Sequence, residues 1–447
     1  MDERTKTMLT AAPGPLLIRM ATPNALAFLI QSSVSMAEVW FIGRLGTVSL
    51  AAIALAFPLL MLIQTMAGGA VGGAVTSAIA RAIGAGDMAR AEKLVWHSLA
   101  LALIGFLFFL LMYLVFGELL LVFLGGQGAI LEQSQTFCLI LFSGGLFLWL
   151  MSIVGAIFRG MGDMKFPAVL MIMSAFIQVP LSGALVLGGL GLPQLGIAGA
   201  AVSAIVSSIL VSILMLIRLI WGSQSLKLHW AAFGFSKALF QDILKVAIPA
   251  SLSPILTVTT ILSLTAIVGR FGESALAGYG IGSRIEFLMI PLVFGLGAAM
   301  TSLVGINVGA DNIARAERIG WIGSSLAAAL SGSVGIFLAL FPNLWIPAFT
   351  TDPATFEAAK LYIQIVGPCF AFQGLGLSLY FASQGAGTVT WPIIGTIVRV
   401  VVAVVGALYL AFELELGLQG VYFAAAAGMI LFGCIIAVAL KLGMWRR

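Results

Sequence analysis

Charge is scarce in this 447-residue chain. Asp, Glu, Lys and Arg together make up 9% of it, where a soluble domain carries about 25%. A solvated globular surface is excluded. Histidine is scarcer still: His97 and His229 stand at loop ends, too few for a histidine metal cluster or a catalytic triad. The three cysteines, Cys138, Cys369 and Cys434, lie in apolar runs without metal-ligand spacing and read as small core residues. No G-x-x-x-x-G-K-[ST] loop occurs, so a Walker-type nucleotide site is excluded. The stretch GMGDMKF has no strand before it and makes a poor phosphate cradle. No cleavable signal pattern is read at the start, where MDERTKTMLTAAPGPLL mixes charges and leads into a long helix. On this inventory no enzyme activity, catalytic residue, cofactor or metal site is expected.

What the chain has is apolar residues, 61% of the total, in runs long enough to cross a bilayer. The expected fold class is all-α polytopic membrane protein with 12 transmembrane helices, near residues 15–41, 47–75, 94–116, 133–158, 166–190, 196–220, 246–269, 275–305, 319–342, 356–382, 391–412 and 417–441. Pro23, Pro58, Pro180, Pro249, Pro254, Pro291 and Pro368 fall inside these spans and predict kinks. With the N-terminus inside, the inner span ends hold 17 of the 22 Lys and Arg, from Arg4 to Arg447. Arg44, Arg270, Arg284 and Lys360 fall outside, and Arg399 lies within a span. The bias predicts both termini in the cytoplasm of a multi-pass plasma (inner) membrane protein. It also accounts for the net charge of +5 without a nucleic-acid partner.

The chain repeats itself. IRMATPNALAFLI (18–30) resembles LKVAIPASLSPIL (244–256), placing Pro23 over Pro249 at a shift of 226 residues. GRLGTVSLAA (43–52) matches GRFGESALAG (269–278), and GAGDMARAEK (84–93) matches GADNIARAER (309–318). FRGMGDMKFP (158–167) matches FASQGAGTVTWP (381–392), and LGIAG (195–199) matches LGLQG (416–420). Two six-helix lobes are expected, 1–222 and 241–447, joined by a cytoplasmic linker, 223–240. Six is even, so both lobes enter from the same side and form a parallel repeat. Two such lobes rocking about a cavity are the architecture of alternating access, which predicts a transporter. In the inner loop, Asp87, Arg90 and Glu92 are expected to cap and tie helix ends.

Within QSSVSMAEVWFIGRLG (31–46) the first apolar span carries one carboxylate, Glu38. An ionisable group inside a span usually marks an ion or substrate pathway. The plainer reading is that Glu38 stands near enough to the helix end to reach interfacial water. Gln31, Ser35 and Glu38, spaced by four and three, share one helix face. Other polar residues at helical positions are Gln64, Gln178, Ser182, Ser203 and Gln373, which either line a cavity or hydrogen-bond between helices. Glu286 lies about eleven residues, roughly 16 Å, from the outer end of the eighth span, near the midplane. It either pairs with Arg399 or Arg284, or contacts a cationic substrate. Arg284 is two residues away and on another face, which favours Arg399. GGAVGGAV (68–75) allows close helix packing. The abundant Met and Phe suit an adaptable apolar cavity or a lipid-facing surface.

These motifs, in this order, resemble the multidrug and toxic compound extrusion (MATE) family of the polysaccharide-flippase superfamily. The carriers are the proline-led first helix, the acid followed by FIGRLG and SLAAIALAFP, GAGDMARAEK, FRGMGDMKFP, GIAGAAVS, GRFGESALAG and GADNIARAER. The resemblance implies two lobes in a V and export of amphipathic, often cationic, organic compounds driven by a proton or sodium gradient. It implies a coupling-ion site at Glu38. The second acid that relatives carry in the fifth helix is replaced: Gln178 takes the place of their Asn and Ser182 that of their Asp. Glu38 maps onto Leu264 in the second half, so the acid is not duplicated. The site expectations are therefore Glu38, Gln178, Ser182, Gln31 and Ser35 for the coupling ion, and Glu286, Gln64, Gln373 and Arg399 for substrate. A hard cation prefers a shell of oxygens, whereas a lone carboxyl in a poorly solvated pocket titrates nearer neutral pH, so H+ is favoured over Na+. The expected partners are small organic molecules and the lipid bilayer, with the protein a monomer. Two other readings are a lipid-linked saccharide flippase, which calls for more cavity cations than Arg399 and Arg284, and a non-transporting membrane enzyme or scaffold.

Overall fold

The structure is a computed structural model that describes residues 3–189, 191–222 and 226–446, apart from the side chain of Phe287. Residues 223–225, where the expected linker begins, lie outside the described residues, as do Leu190 at the end of the fifth expected span and the cation Arg447. Among the described residues there is no strand. After a short helix, Glu3–Thr10, come α1 (Pro13–Gly43), α2 (Thr47–Gly84), α3 (Met88–Phe123), α4 (Gly128–Ser143 and Gly145–Gly160), α5 (Lys165–Leu187) and α6 (Ile197–Gly222). The second half holds α7 (Lys237–Gly269), α8 (Glu273–Gly309), α9 (Ile313–Leu340), α10 (Pro353–Ala386), α11 (Thr390–Glu413) and α12 (Gly417–Lys441). Among the described residues eleven helices are long and apolar enough to cross a membrane, and α4 as a bent pair makes twelve. Its 51° break falls at Gly144, beside Ser143 and Gly145 and without a proline. Small residues weaken a helix there as a proline would.

The helices assort into two compact units that do not follow the sequence halves. One comprises residues 1–7 and 26–247, the other 8–25 and 248–447. The chain therefore passes from one unit to the other within α1, just after Pro23, and within α7, just before Pro249. These are the two prolines that the repeat superimposes.

Within the first unit α4 packs against α2, α3 and α6, and α5 packs on α6. Within the second, α10 packs against α8, α9 and α12, and α11 packs on α12. The pattern is the same with six added to each helix number, as a duplicated chain requires. Local details repeat too. Gly46 and Gly272 precede α2 and α8 with φ of 115° and 101°, a conformation open to glycine. Asp87 caps α3 by accepting the Arg90 N–H at 2.9 Å, and Asn312 caps α9 by accepting the Arg315 N–H at 3.3 Å. The Thr76 hydroxyl donates to the Ala156 carbonyl, joining α2 to α4, and Thr301 donates to Phe381, joining α8 to α10, both at 2.9 Å.

Two loop readings meet the structure differently. The capping and tying roles of Asp87, Arg90 and Glu92 are seen: Arg90 reaches Asp242 at 2.8 Å and Glu92 reaches His229 at 3.3 Å. His97 does not stand at a loop end. It lies inside α3, fully buried, between the rings of Phe235 and Phe240. Its Nδ1 bonds the Lys93 carbonyl and its Nε2 accepts the Ser236 N–H at 2.9 Å. Helix α3 begins six residues before the expected span, so the imidazole is carried into the protein. Before α10, Asp352 accepts both the N–H and the hydroxyl of Thr355, at 2.8 and 2.7 Å, which holds its carboxyl below the usual range.

Candidate functional site

In the first unit the polar residues converge where α1, α5 and α6 meet. Two glycines let them approach. A Cβ on Gly199 of α6 would stand 2.6 Å from the backbone of Leu185, and one on Gly183 of α5 would stand 2.9 Å from the Phe41 ring of α1. Across this contact the Gln178 amide donates to the Glu38 carboxylate at 2.8 Å. The Gln178 oxygen in turn accepts the Ser207 hydroxyl at 3.1 Å. Gln178 and Ser207 are buried and Glu38 is half-buried. Ser182, one turn beyond Gln178 on α5, is fully buried, and its hydroxyl has no hydrogen-bond partner.

The arrangement brings Glu38, Gln178 and Ser182 to one region and leaves the other two expected residues aside. The Ser35 hydroxyl is exposed and turns back on the Gln31 carbonyl at 3.5 Å, and Gln31 is half-buried. Ser207 is a member that sequence reading passed over. The signal was present: it stands four residues after Ser203, on the same face of α6. Ser203 itself donates to the Ala200 carbonyl at 2.8 Å. Gln64 lies on an exposed face of α2, directly before a wide-turned stretch, Thr65–Val71.

The second unit holds a separate polar cluster. Glu286 of α8 accepts the hydroxyl of Tyr362 from α10. Tyr362 stands edge-on to Tyr279 at 5.5 Å and to Tyr422 at 5.1 Å. The expected Glu286–Arg399 ion pair is corrected: no contact within 4 Å joins them. Arg399 stands within electrostatic range of Glu286 and Tyr362, but its guanidinium lies over the Phe432 ring of α12 at 5.8 Å. The cause is packing, since α11 lies on α12 while α8 lies on α10. Arg284 turns to the Phe349 ring at 5.2 Å. Next to Glu286 is a cavity of about 20 Å³, also lined by Ser331, Phe370 and Gln373. That is room for about one water molecule. The Ser331 hydroxyl and the Gln373 oxygen at its wall have no hydrogen-bond partner. Tyr362 was absent from the sequence reading. Its signal was scarcity, because three of the chain's six tyrosines meet here.

The sequence profile of the MatE family matches the chain twice, over residues 23–183 and 249–409, the same 226-residue shift that superimposes Pro23 on Pro249. The chain belongs to the MatE family. It is a transporter of that family, multi-pass in the membrane, and the family profile carries the repeat as well as the fold. Among similar MatE proteins is the probable multidrug resistance protein NorM of Thermotoga maritima, 27% identical over 96% of this chain and 93% of its own length. A protein named FAD transporter, from Shewanella oneidensis, is 28% identical over 84% of this chain and 82% of its own. Solved structures agree on the fold. A MOP-superfamily transporter from Pyrococcus furiosus, described as having a binding pocket of reverse polarity, superimposes with a TM-score of 0.91 at 24% identity, covering 99% of this chain and 98% of the other. A MATE protein crystallised with MaD3S does so with a TM-score of 0.90 at 25% identity and the same coverage.

Proposed function

We propose that this transporter is a secondary antiporter that exports amphipathic or cationic organic compounds in exchange for protons, with Glu38 as the coupling carboxylate. The observation that carries the reading is the Gln178–Glu38 hydrogen bond, which places the first-span acid against a buried polar network. The name of the relative from Thermotoga maritima, a probable multidrug resistance protein, supports the substrate class. The proton is favoured by the way Gln178 is turned. Its N–H faces Glu38 and its oxygen is taken by Ser207, so it offers no oxygen to a sodium ion beside that carboxylate. In the second unit, Glu286, with Gln373 at its cavity and Arg399 nearby, is the candidate contact for charged substrate, and Gln64 is the candidate in the first. The lysine and arginine bias supports termini in the cytoplasm and residence in the plasma membrane. The protein acts as a monomer of two six-helix repeats, 1–222 and 241–447, of which residues 8–25 and 241–247 belong to the other repeat's compact unit.

The test is transport by the purified protein in liposomes, with proton and sodium gradients imposed separately. Uphill movement of a lipophilic organic cation under the proton gradient alone is expected. Efflux driven by a sodium gradient at clamped pH, with none under the proton gradient, refutes the assignment. The name of the Shewanella relative motivates one competitor, FAD. A flavin nucleotide is anionic, and the two carboxylates at the sites described here, Glu38 and Glu286, argue for the cation.

A further inference from the structure

Residues 226–236, which lead into α7, are held firmly yet display apolar rings. Leu226 is buried, and the Leu228 N–H bonds the Leu219 carbonyl at 3.1 Å. The Trp96 indole of α3 donates to the His229 carbonyl at 3.0 Å, and His97 accepts the Ser236 N–H at 2.9 Å. A turn of 3₁₀ helix, Trp230–Ala232, lies between these two ties. On this fixed support Trp230 is 80% exposed, Phe233 54% and Phe235 57%. Their rings join in one cluster: Trp96 lies 5.1 Å from Trp230 and 5.0 Å from Phe233, and Phe233 lies 5.5 Å from Phe235. Trp221, at the end of α6, is also exposed.

Water is a poor solvent for such a cluster. Its position answers this, because it sits at the ends of three spans, α3, α6 and α7, where a membrane meets water. Tryptophan favours that boundary, with its ring among lipid and its N–H among polar groups. The charge flanking the rings along the chain is positive. Lys227 and Lys237 flank them and are exposed, and neither meets a carboxylate within 4 Å among the described residues. The nearby acid Glu92 is engaged by His229.

We infer that residues 227–237 are an interfacial anchor for anionic phospholipid, with Trp230, Phe233 and Phe235 in the acyl–headgroup boundary and Lys227 and Lys237 on the lipid phosphates. Basic residues beside a span end attract anionic lipid, and a lysine ammonium meets a phosphate without a fixed stereochemistry.

The full chain in nanodiscs tests this. The probes are phosphatidylcholine and phosphatidylglycerol brominated in the upper acyl chain. The tryptophan emission lost in Trp230→Ala reports the depth of that ring. That fraction is expected to be quenched about twofold or more by the brominated lipids, and more strongly by phosphatidylglycerol than by phosphatidylcholine. Lys227→Gln with Lys237→Gln is expected to remove the difference between the lipids while quenching persists. Trp230→Phe, which keeps an apolar ring, controls for folding through unchanged melting. Quenching of that fraction by aqueous iodide and not by brominated lipid overturns the inference and makes the patch a docking face for a soluble partner. Equal quenching by both lipids before the lysines are changed overturns the anionic preference.

Discussion

Gln178 of α5 donates its side-chain amide to Glu38 of α1 across 2.8 Å, and the same amide accepts from Ser207 of α6. One residue thus orders the acid and fixes which of its own atoms faces it. Glu38→Gln preserves size and an acceptor oxygen for Gln178. The variant is expected to melt close to wild type and to lose uphill efflux, measured as transport into or out of liposomes under a proton gradient. Wild-type efflux in that variant refutes the coupling role. Gln178→Ala removes the partner of both neighbours, at about 1.5–3 kcal/mol for a hydrogen bond to a charged group. It is expected to lower both melting temperature and efflux.

Tyr362 is the direct partner of Glu286, and that changes the expected response. Tyr362→Phe leaves a carboxylate without its donor and is expected to cost about 1–3 kcal/mol. Glu286→Gln keeps an acceptor for the tyrosine and is expected to cost less. Binding of organic cations is expected to weaken in Glu286→Gln while neutral substrates are unaffected. A larger loss of stability in Glu286→Gln than in Tyr362→Phe points back to an ion pair with Arg399 and overturns the hydrogen-bond assignment.

Asp242 gathers three cations at the start of α7: Arg81 at 3.1 Å, Arg90 at 2.8 Å and Lys245 at 2.7 Å. The carboxylate and Arg81 are mostly buried, whereas Arg90 and Lys245 are about half exposed. Asp242→Ala leaves a buried guanidinium among like charges and is expected to cost about 3–5 kcal/mol. Arg90→Gln removes an exposed partner and is expected to cost under about 1 kcal/mol. Chemical or thermal unfolding in detergent distinguishes the two. Equal costs contradict the burial argument.

Asp352 supplies a pH dependence of known sign. Thr355 bonds hold its carboxyl below the ordinary range in the folded protein. Its contribution is present above the ordinary carboxylate pKa and is lost as pH falls through the depressed folded value. Asp352→Asn is expected to flatten the acid side of the stability profile without changing it at neutral pH beyond the loss of the cap. An unchanged acid limb in thermal melts shows that the Thr355 bonds do not form.

The amino-acid sequence by itself determined the class of this protein and its duplication. Span length, hydropathy and the 226-residue shift are properties of the chain read along its length, and folding does not alter them. The capping residue Asp87 was visible for the same reason, since a cap acts on a backbone N–H three residues away, whereas its counterpart Asn312 was recognised only in the structure. Glu38 stood out because a carboxylate in a span is costly wherever the helix points. What the tertiary structure decided was partnership. Arg399 and Tyr362 lie on different helices from Glu286, and the way α8, α10 and α11 pack chooses between them. Gln178 has both an N–H and an oxygen to offer, and the meeting of α1, α5 and α6 sets its N–H on the accepting Glu38 carboxylate and its oxygen on Ser207. The exchange of residues 8–25 and 241–247 between compact units was hidden too, because a helix running past Pro23 or Pro249 reads as one span regardless of what either end packs against.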